Sequence, residues 1–370
     1  MILSKDFITD PRVYNEATSL VASGHNVTVI MWDRHNTFET ESIVNGIKVI
    51  RIQTKGFMRR LPNDVMRNPF WWRKAYKKGL EIFEENFRFD VVHCHDLDTL
   101  QAGVWLKKKL GCKIVYDAHE IFGYMIQNNV PNFVVKYSFR MEKKLVKNID
   151  YVITVNEPLE KYFKNITDKQ ITIVMNCKEL IIKEYQPPEN NIFTICYMGV
   201  LNKMRMFPEL VDIVGNIKDI KFIIAGKKEN LYDEVEERCK KYDNIEFLGT
   251  ISSDEVIKKT LECNAIICMF DPEIEIHKIG LPNKIFEAMA TSRPIIVTKN
   301  MYYSDEFVEK EKCGLSASYN SEDIRNAIIK LRDNPELCEE LGRNGLKAAK
   351  KKYNWDKQKV KLLALYEEMK

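Results

Sequence analysis

The chain lacks a C-x-x-C pair, a G-x-G-x-x-G turn, a G-x-x-x-x-G-K-[ST] loop and a G-x-S-x-G elbow. The missing glycine turn argues against a dinucleotide dehydrogenase, and the missing phosphate loop against a P-loop kinase. Without the elbow an α/β-hydrolase is not expected. Nine cysteines are scattered along the sequence, several in apparent strands (Cys94, Cys196, Cys268). That pattern fits reduced, buried thiols of a cytosolic protein rather than a disulfide framework. No signal peptide is visible, and no apolar run approaches the roughly 20 residues of a membrane span. Internal repeats and low-complexity tracts are absent too. The net charge is only +4, so neither nucleic acid nor another bulk polyanion is expected as a partner, and any basic patch must be local.

What is present is a globular composition, 45% hydrophobic and 30% charged, in 370 residues, too long for one ordinary core. Two domains are expected. Met1-Ile-Leu3 is a thin first strand; either it is short or residues have been lost before it. Asp10 caps a helix that starts at Pro11, carries Val13, Ala17, Leu20 and Val21 on one side, and stops at Gly24. Strands follow at residues 26–32, 47–52, 90–95, 113–119, 151–155 and 171–175, with helices between the later ones. Nearly continuous apolar strands alternating with helices imply a parallel, doubly wound sheet. Residues 178–191, with Pro187-Pro188, read as a linker. The rhythm restarts at 193–198, 221–225, 245–248, 265–269 and 294–297. The last 35 residues or so are helical, with a break at Lys352-Tyr-Asn-Trp355. The expected fold class is α/β, two Rossmann-like domains facing an interdomain cleft: 1–182, 190–352, and a C-terminal helix over 353–370.

Residues 57–78 mix Arg and Lys with Phe57, Phe70, Trp71 and Trp72. They read either as a surface for an anionic membrane or as core aromatics beside solvated cations. Trp71 and Trp72 cannot both face one side of a helix, which favours the second reading.

The stretch that organises the rest is Ile279-Gly-Leu-Pro-Asn-Lys-Ile-Phe-Glu-Ala-Met-Ala290. Gly280 and Pro282 lead from a loop into a helix. Its N-terminus offers N–H groups and a positive dipole end. Lys284 in the first turn opposes that dipole, which suggests that an anion is bound there. Asn283, Lys284 and Glu287 share a face. A cation and a carboxylate so spaced suit a nucleotide, with phosphate at the tip and ribose hydroxyls at Glu287. The plain alternative is a surface Lys–Glu pair.

In open parallel sheets ligands lie beyond the carboxyl ends of strands. His95, His119 with Glu120, and Asn156 end strands of the first half. Gly199 and Gly226-Lys-Lys228 end strands of the second, where Lys203, Arg205 and Lys284 make a positive wall. His93-Cys-His95 followed by Asp96 invites a metal reading. A divalent site needs three or four converging ligands, and the sequence does not name them. No metal is expected, and His93 reads as an interior residue.

In order along the chain, five segments resemble glycosyltransferases of GT-B fold, retaining family four. These are Asp10-Pro-Arg-Val13 with Gly24-His-Asn-Val-Thr-Val29, Asp90-Val-Val-His-Cys-His95, Asp150-Tyr-Val-Ile-Thr-Val155, Gly199 to Arg205, and Pro282-Asn-Lys-Ile-Phe-Glu-Ala-Met-Ala290. The resemblance covers nearly the whole chain. It implies sugar transfer from a nucleotide diphosphate sugar to a glycan or lipid-linked glycan, with retained configuration, no cofactor and no obligatory metal. The place would be the cytoplasm, with peripheral membrane contact through 57–78 as an option. By resemblance Arg205 and Lys284 hold the diphosphate, beside Gly199, Gly280, Pro282 and Asn283. Glu287 takes the ribose, and Arg12, His95, His119 and Glu120 form the sugar and acceptor side, His95 beside the reacting centre. The C-terminal helix is expected to cross back to the first domain. Three departures stand out. Ile279 replaces the first Glu of the family's E-x7-E, leaving Glu273 or Glu275 as substitutes. A Gly-rich loop after the first strand is missing, and Val200 stands where an Arg is usual. A nucleotide-sugar epimerase of the same architecture and a non-catalytic partner subunit are the competing readings.

Overall fold

A computed structural model of the chain describes residues 1–8, 10–85, 88–229 and 231–369. It falls into two compact units, Met1–Met175 with Lys359–Lys370, and Asn176–Gln358.

The first unit holds β1 (Ile2–Leu3), β2 (Thr28–Asp33), β3 (Glu41–Val44), β4 (Ile47–Gln53), β5 (Val91–His95), β6 (Lys113–Ala118), β7 (Tyr151–Thr154) and β8 (Gln170–Ile173). They form one sheet in the order β3-β4-β2-β1-β5-β6-β7-β8. All pairs are parallel except β3 with β4. β3 was not expected. It alternates exposed and half-buried positions at the sheet edge, so it carries no apolar run. Its signal is Asn45-Gly46, both with positive φ (48° and 79°), which closes a two-residue hairpin between Val44 and Ile47.

The second unit holds β9 (Phe193–Met198), β10 (Ile220–Ala225), β11 (Ile245–Phe247), β12 (Ala265–Cys268), β13 (Ile295–Thr298) and β14 (Gly314–Ala317). The order is β11-β10-β9-β12-β13-β14, parallel throughout. β14 was also missed. It is four residues long and begins with a glycine whose Cβ would lie 2.0 Å from Ile295 O. Both units are therefore Rossmann-like, each with helices packed on a largely parallel sheet.

The sequence boundaries shift. The segment read as a linker belongs to the second unit. Arg293 Nη1 donates to Gln186 O at 2.8 Å, and Asn190 Nδ2 donates to Glu262 O and Asn264 Oδ1, both at 2.9 Å, so its backbone is tied down. The final helix runs Trp355–Glu368, after a break at residues 352–354. From Lys359 onward it packs with the first unit. Tyr366 Oη meets His93 Nδ1 at 2.8 Å and Lys361 Nζ donates to Ile173 O at 3.1 Å.

Of residues 57–78 only Met58, Trp71 and Ala75 are buried, so the cations stay at the surface while the rings turn inward in part. Trp71 is fully buried, stacked on Trp32 at 5.5 Å. Trp71 and Trp72 both donate their indole N–H to Asp98 O, at 3.1 and 2.7 Å, which residues adjacent on a helix achieve by reaching one carbonyl from either side. Of the four rings only Phe57 is exposed, at 58%.

Candidate functional site

In each sheet the strand order reverses once, at β1/β5 and at β9/β12. Crevices beyond the carboxyl ends of the strands at such points are where open α/β sheets bind ligands.

Beyond β9 lies Gly199. A Cβ there would sit 3.1 Å from Lys284 Nζ and 3.4 Å from Tyr197 Oη. Lys284 donates to Met198 O, lies 5.2 Å from the Tyr197 ring, and is 3.8 Å from Glu287 Oε2. The helix that carries it runs Asn283–Thr291, from the residue at which the sequence turns helical. Pro282 is its cap residue, no side chain caps it, and no acid lies in the first turn. Lys284 therefore reaches from the uncapped turn to the end of β9. Gly280 is extended, and a Cβ on it would lie 3.0 Å from Ile276 O. Arg205 closes a single turn over Lys203–Arg205 that Tyr319 Oη and the N–H of Asp271 pin, by bonds of 3.0 Å to Lys203 O and 2.9 Å to Met204 O. Its guanidinium lies 4.4 Å above the Phe270 ring, just past β12. Gly226, at the end of β10, leaves room for the Gly199 carbonyl, 2.7 Å from where a Cβ would be.

Several neighbours carried no signal in the sequence. Lys178 Nζ lies 3.4 Å from Glu287 Oε1, and Asn176 Nδ2 donates to Asn283 Oδ1 at 3.1 Å. Glu287 is thus flanked by two lysines. His277 packs edge-on against Phe270 at 4.6 Å, with Nδ1 at Asp271 O. Of the substitutes for Ile279, Glu275 is ion-paired to Lys278 at 2.8 Å, and Glu273 is exposed.

Beyond β5 and β6 the geometry corrects two placements. Arg12 is buried with all three nitrogens engaged: Nε and Nη2 to Asp117 (3.4 and 2.8 Å), Nη1 to Val174 O (2.6 Å), and Nη2 also to Glu16 (3.1 Å). It braces the first unit from within and presents nothing to an acceptor. His95 has no exposed surface either. Its ring stacks on His93 at 4.4 Å, and Nδ1 lies 3.3 Å from Asp117 Oδ2 and 3.4 Å from His119 Nε2. The ring that reaches solvent is His119, 13% exposed. Its Nε2 meets Asp117 Oδ2 at 3.2 Å and its Nδ1 faces Asp96 Oδ2 at 3.6 Å. Glu120 is exposed beside it. Lys5 Nζ lies 3.9 Å from Asp96 Oδ2.

The charges sort by environment. Burial would push the Asp117 carboxyl up, but Arg12 and His119 hold it well below the usual range. Burial and the nearby Asp117 charge push Glu16 well up. His95, buried and beside His93, drops to about 3 and stays neutral. Burial also disfavours a charged His119, yet Asp96 and Asp117 outweigh it and raise the imidazole to about 9. Ligand atoms of Glu16, His93, His95 and Asp117 lie within 4.8 Å of one another, a convergence invisible in the sequence. Arg12 Nη2 already reaches both carboxylates of this group, Asp117 at 2.8 Å and Glu16 at 3.1 Å.

Both halves match family models, Glycosyltransferase Family 4 over residues 12–177 and Glycosyl transferases group 1 over residues 192–334. An uncharacterized glycosyltransferase of Methanocaldococcus jannaschii is 27% identical over 302 residues, 80% of each chain. An uncharacterized 42.6 kDa protein in the cps region of Klebsiella pneumoniae is 24% identical over 272 residues, 66% of this chain and 70% of that one. Among solved structures, sucrose-phosphate synthase of Thermosynechococcus elongatus superposes with a TM-score of 0.78 at 16% identity, covering 100% of this chain and 98% of that one. Anabaena HepE in complex with UDP-glucose gives 0.71 at 14%, covering 99% and 98%. Among the described residues no helix is long and apolar enough to cross a membrane. The chain belongs to the group 1, family 4 glycosyltransferases and is a glycosyltransferase of GT-B fold.

Proposed function

We propose that the enzyme transfers a sugar from a nucleotide diphosphate sugar to a glycan or lipid-linked glycan, with retained configuration and without a metal. The observation that carries this is Lys284, which reaches from the first turn of an uncapped helix to the end of β9, where the strand order reverses. A departing nucleotide diphosphate gains negative charge in the transition state, and preorganised donors at that point accelerate its departure. Arg205 supplies a second cation near the end of β12. With two cations and a helix dipole, the charge is met by the protein itself. Glu287 binds the ribose hydroxyls, held between Lys178 and Lys284. The UDP-glucose bound by HepE supports a uridine donor, and the cps-region relative supports a polysaccharide acceptor. Exposed Phe57 and Met66, beside Arg59 and Arg60, are the part of 57–78 suited to the cytosolic face of a membrane.

The test is transfer by Lys284→Ala and Glu287→Ala. Removal of one such donor lowers the rate by about 10²–10³. Lys284→Ala is expected in that range, with the far-ultraviolet circular dichroism spectrum unchanged. Wild-type rates in both variants would overturn the site.

A further inference from the structure

An open pocket lies away from the strand ends. Helices Asp64–Glu84 and Leu97–Leu110 pack side by side in the first unit. They touch closely at Gly79, where a Cβ would lie 2.8 Å from Leu106 Cδ1. Next to that contact is this pocket, of about 490 Å³, lined by Arg73, Tyr76, Trp105, Lys108 and Lys109. Its volume lies within the range of small-molecule clefts, roughly 300–1,000 Å³.

The lining has two kinds of group. Tyr76 and Trp105 are half-buried and meet edge to face at 5.9 Å, so the rings are fixed by one another and by the helices beneath. Around them stand three exposed cations. Of the other lysines on the same helices, Lys78 pairs with Glu81 at 3.2 Å and Lys107 with Asp150 at 2.6 Å, while Lys74 donates to Gln53 O at 3.5 Å. Among the described residues no carboxylate lies within 4.0 Å of Arg73, Lys108 or Lys109. Three cations standing around the two rings are a setting in which one anion can be shared. Arg also grips carboxylate or phosphate through two parallel hydrogen bonds.

We infer that this pocket binds an acidic saccharide unit, its ring laid on Trp105 and Tyr76 and its carboxylate or phosphate between Arg73, Lys108 and Lys109. A membrane is the weaker fit. Both rings sit down between two helices rather than projecting, and the exposed apolar side chains Phe57 and Met66 are not among the lining residues. Lys108 is eleven residues beyond the helix start after β5, so the pocket is displaced by roughly 16 Å along that helix from the strand-end crevice. That separation suits a hold on a distant part of a glycan chain, not on its reacting end. The site stands independently of the donor assignment.

The experiment titrates the full-length chain by calorimetry with hexagalacturonate, with maltohexaose as the uncharged match, with inorganic phosphate, and with phosphatidylglycerol vesicles. Hexagalacturonate is expected to bind at least tenfold more tightly than maltohexaose or phosphate. Arg73→Ala/Lys108→Ala/Lys109→Ala should remove that preference, and Trp105→Ala should weaken the hexamer at least tenfold. Urea midpoints of both variants near wild type keep misfolding apart from lost binding, and Trp105→Phe, which retains a ring, should recover part of the affinity. Absent hexagalacturonate binding, equal binding of the two hexamers, binding unchanged in the triple variant, or binding of vesicles alone would each overturn the inference.

Discussion

Replacing His119 by Gln tests whether the charge at the end of β6 is real. Gln keeps an amide donor for Asp117 but cannot become a cation. In the wild type the imidazole is raised from 6.5 to about 9. Burial opposes this, and Asp96 at 3.6 Å and Asp117 at 3.2 Å overcome it. A folded-state value above the unfolded one means the folded protein binds the proton more tightly. The stabilisation is fully present below pH 6.5 and is lost as the pH rises through about 9. At about 1.4 kcal/mol per unit, the whole is on the order of 3 kcal/mol. Only 13% of the side chain is exposed, so solvent screening removes little of it. The assay is urea unfolding of both proteins, followed by tryptophan fluorescence, at half-unit steps from pH 6 to 9.5. Titrating groups remote from His119 are common to both and cancel in the difference; Asp117 and Glu16, which feel its charge, belong to the effect measured. That difference should shrink by roughly 1.4 kcal/mol per pH unit between neutrality and pH 9. A difference that stays constant across the window would refute the charged imidazole. On the acid side the sign reverses: His95, held down to about 3, stabilises above pH 6.5, and that contribution is lost as the pH falls.

Two other variants probe the frame. Arg12→Met strands Asp117 and Glu16 in the interior and should cost about 3–5 kcal/mol by urea unfolding, less when Asp117→Asn is added. A loss under about 1 kcal/mol would mean that His119 alone suffices for Asp117. Gly226→Ala puts a Cβ 2.7 Å from Gly199 O, a backbone atom that can yield only by moving the loop. It should cost about 1–3 kcal/mol and weaken UDP binding in a thermal-shift titration.

The strands that carry the two crevices were legible because they are buried on both faces and therefore read as unbroken apolar runs. The exceptions follow from the same rule. β3 has one exposed face and betrays itself only by Asn45-Gly46. β14 is too short, and Gly and Ser take half of it. Side-chain grouping was legible where one helical turn sets the spacing, as for Lys284 and Glu287. It was not legible where a remote segment folds back, as Asn176 and Lys178 do. Position at a strand end also said nothing of depth. His95 lies fully covered, whereas His119, from the neighbouring strand, breaks the surface. Arg12 was read as a ligand contact because its helix resembles the family's first one. The carboxylates that claim it, Glu16 one turn on and Asp117 from a strand far along the chain, come together only when the sheet forms.

The grouping of Lys359–Lys370 with Met1–Met175 has a consequence for synthesis. A ribosome delivers the second unit's entire sequence, up to Gln358, before it delivers Tyr366. Until then His93 waits without its phenol partner, and the carbonyl of Ile173 without Lys361. The nascent first unit therefore emerges early and is finished last. A premature stop anywhere after Gln358 would harm the half of the molecule that was made first.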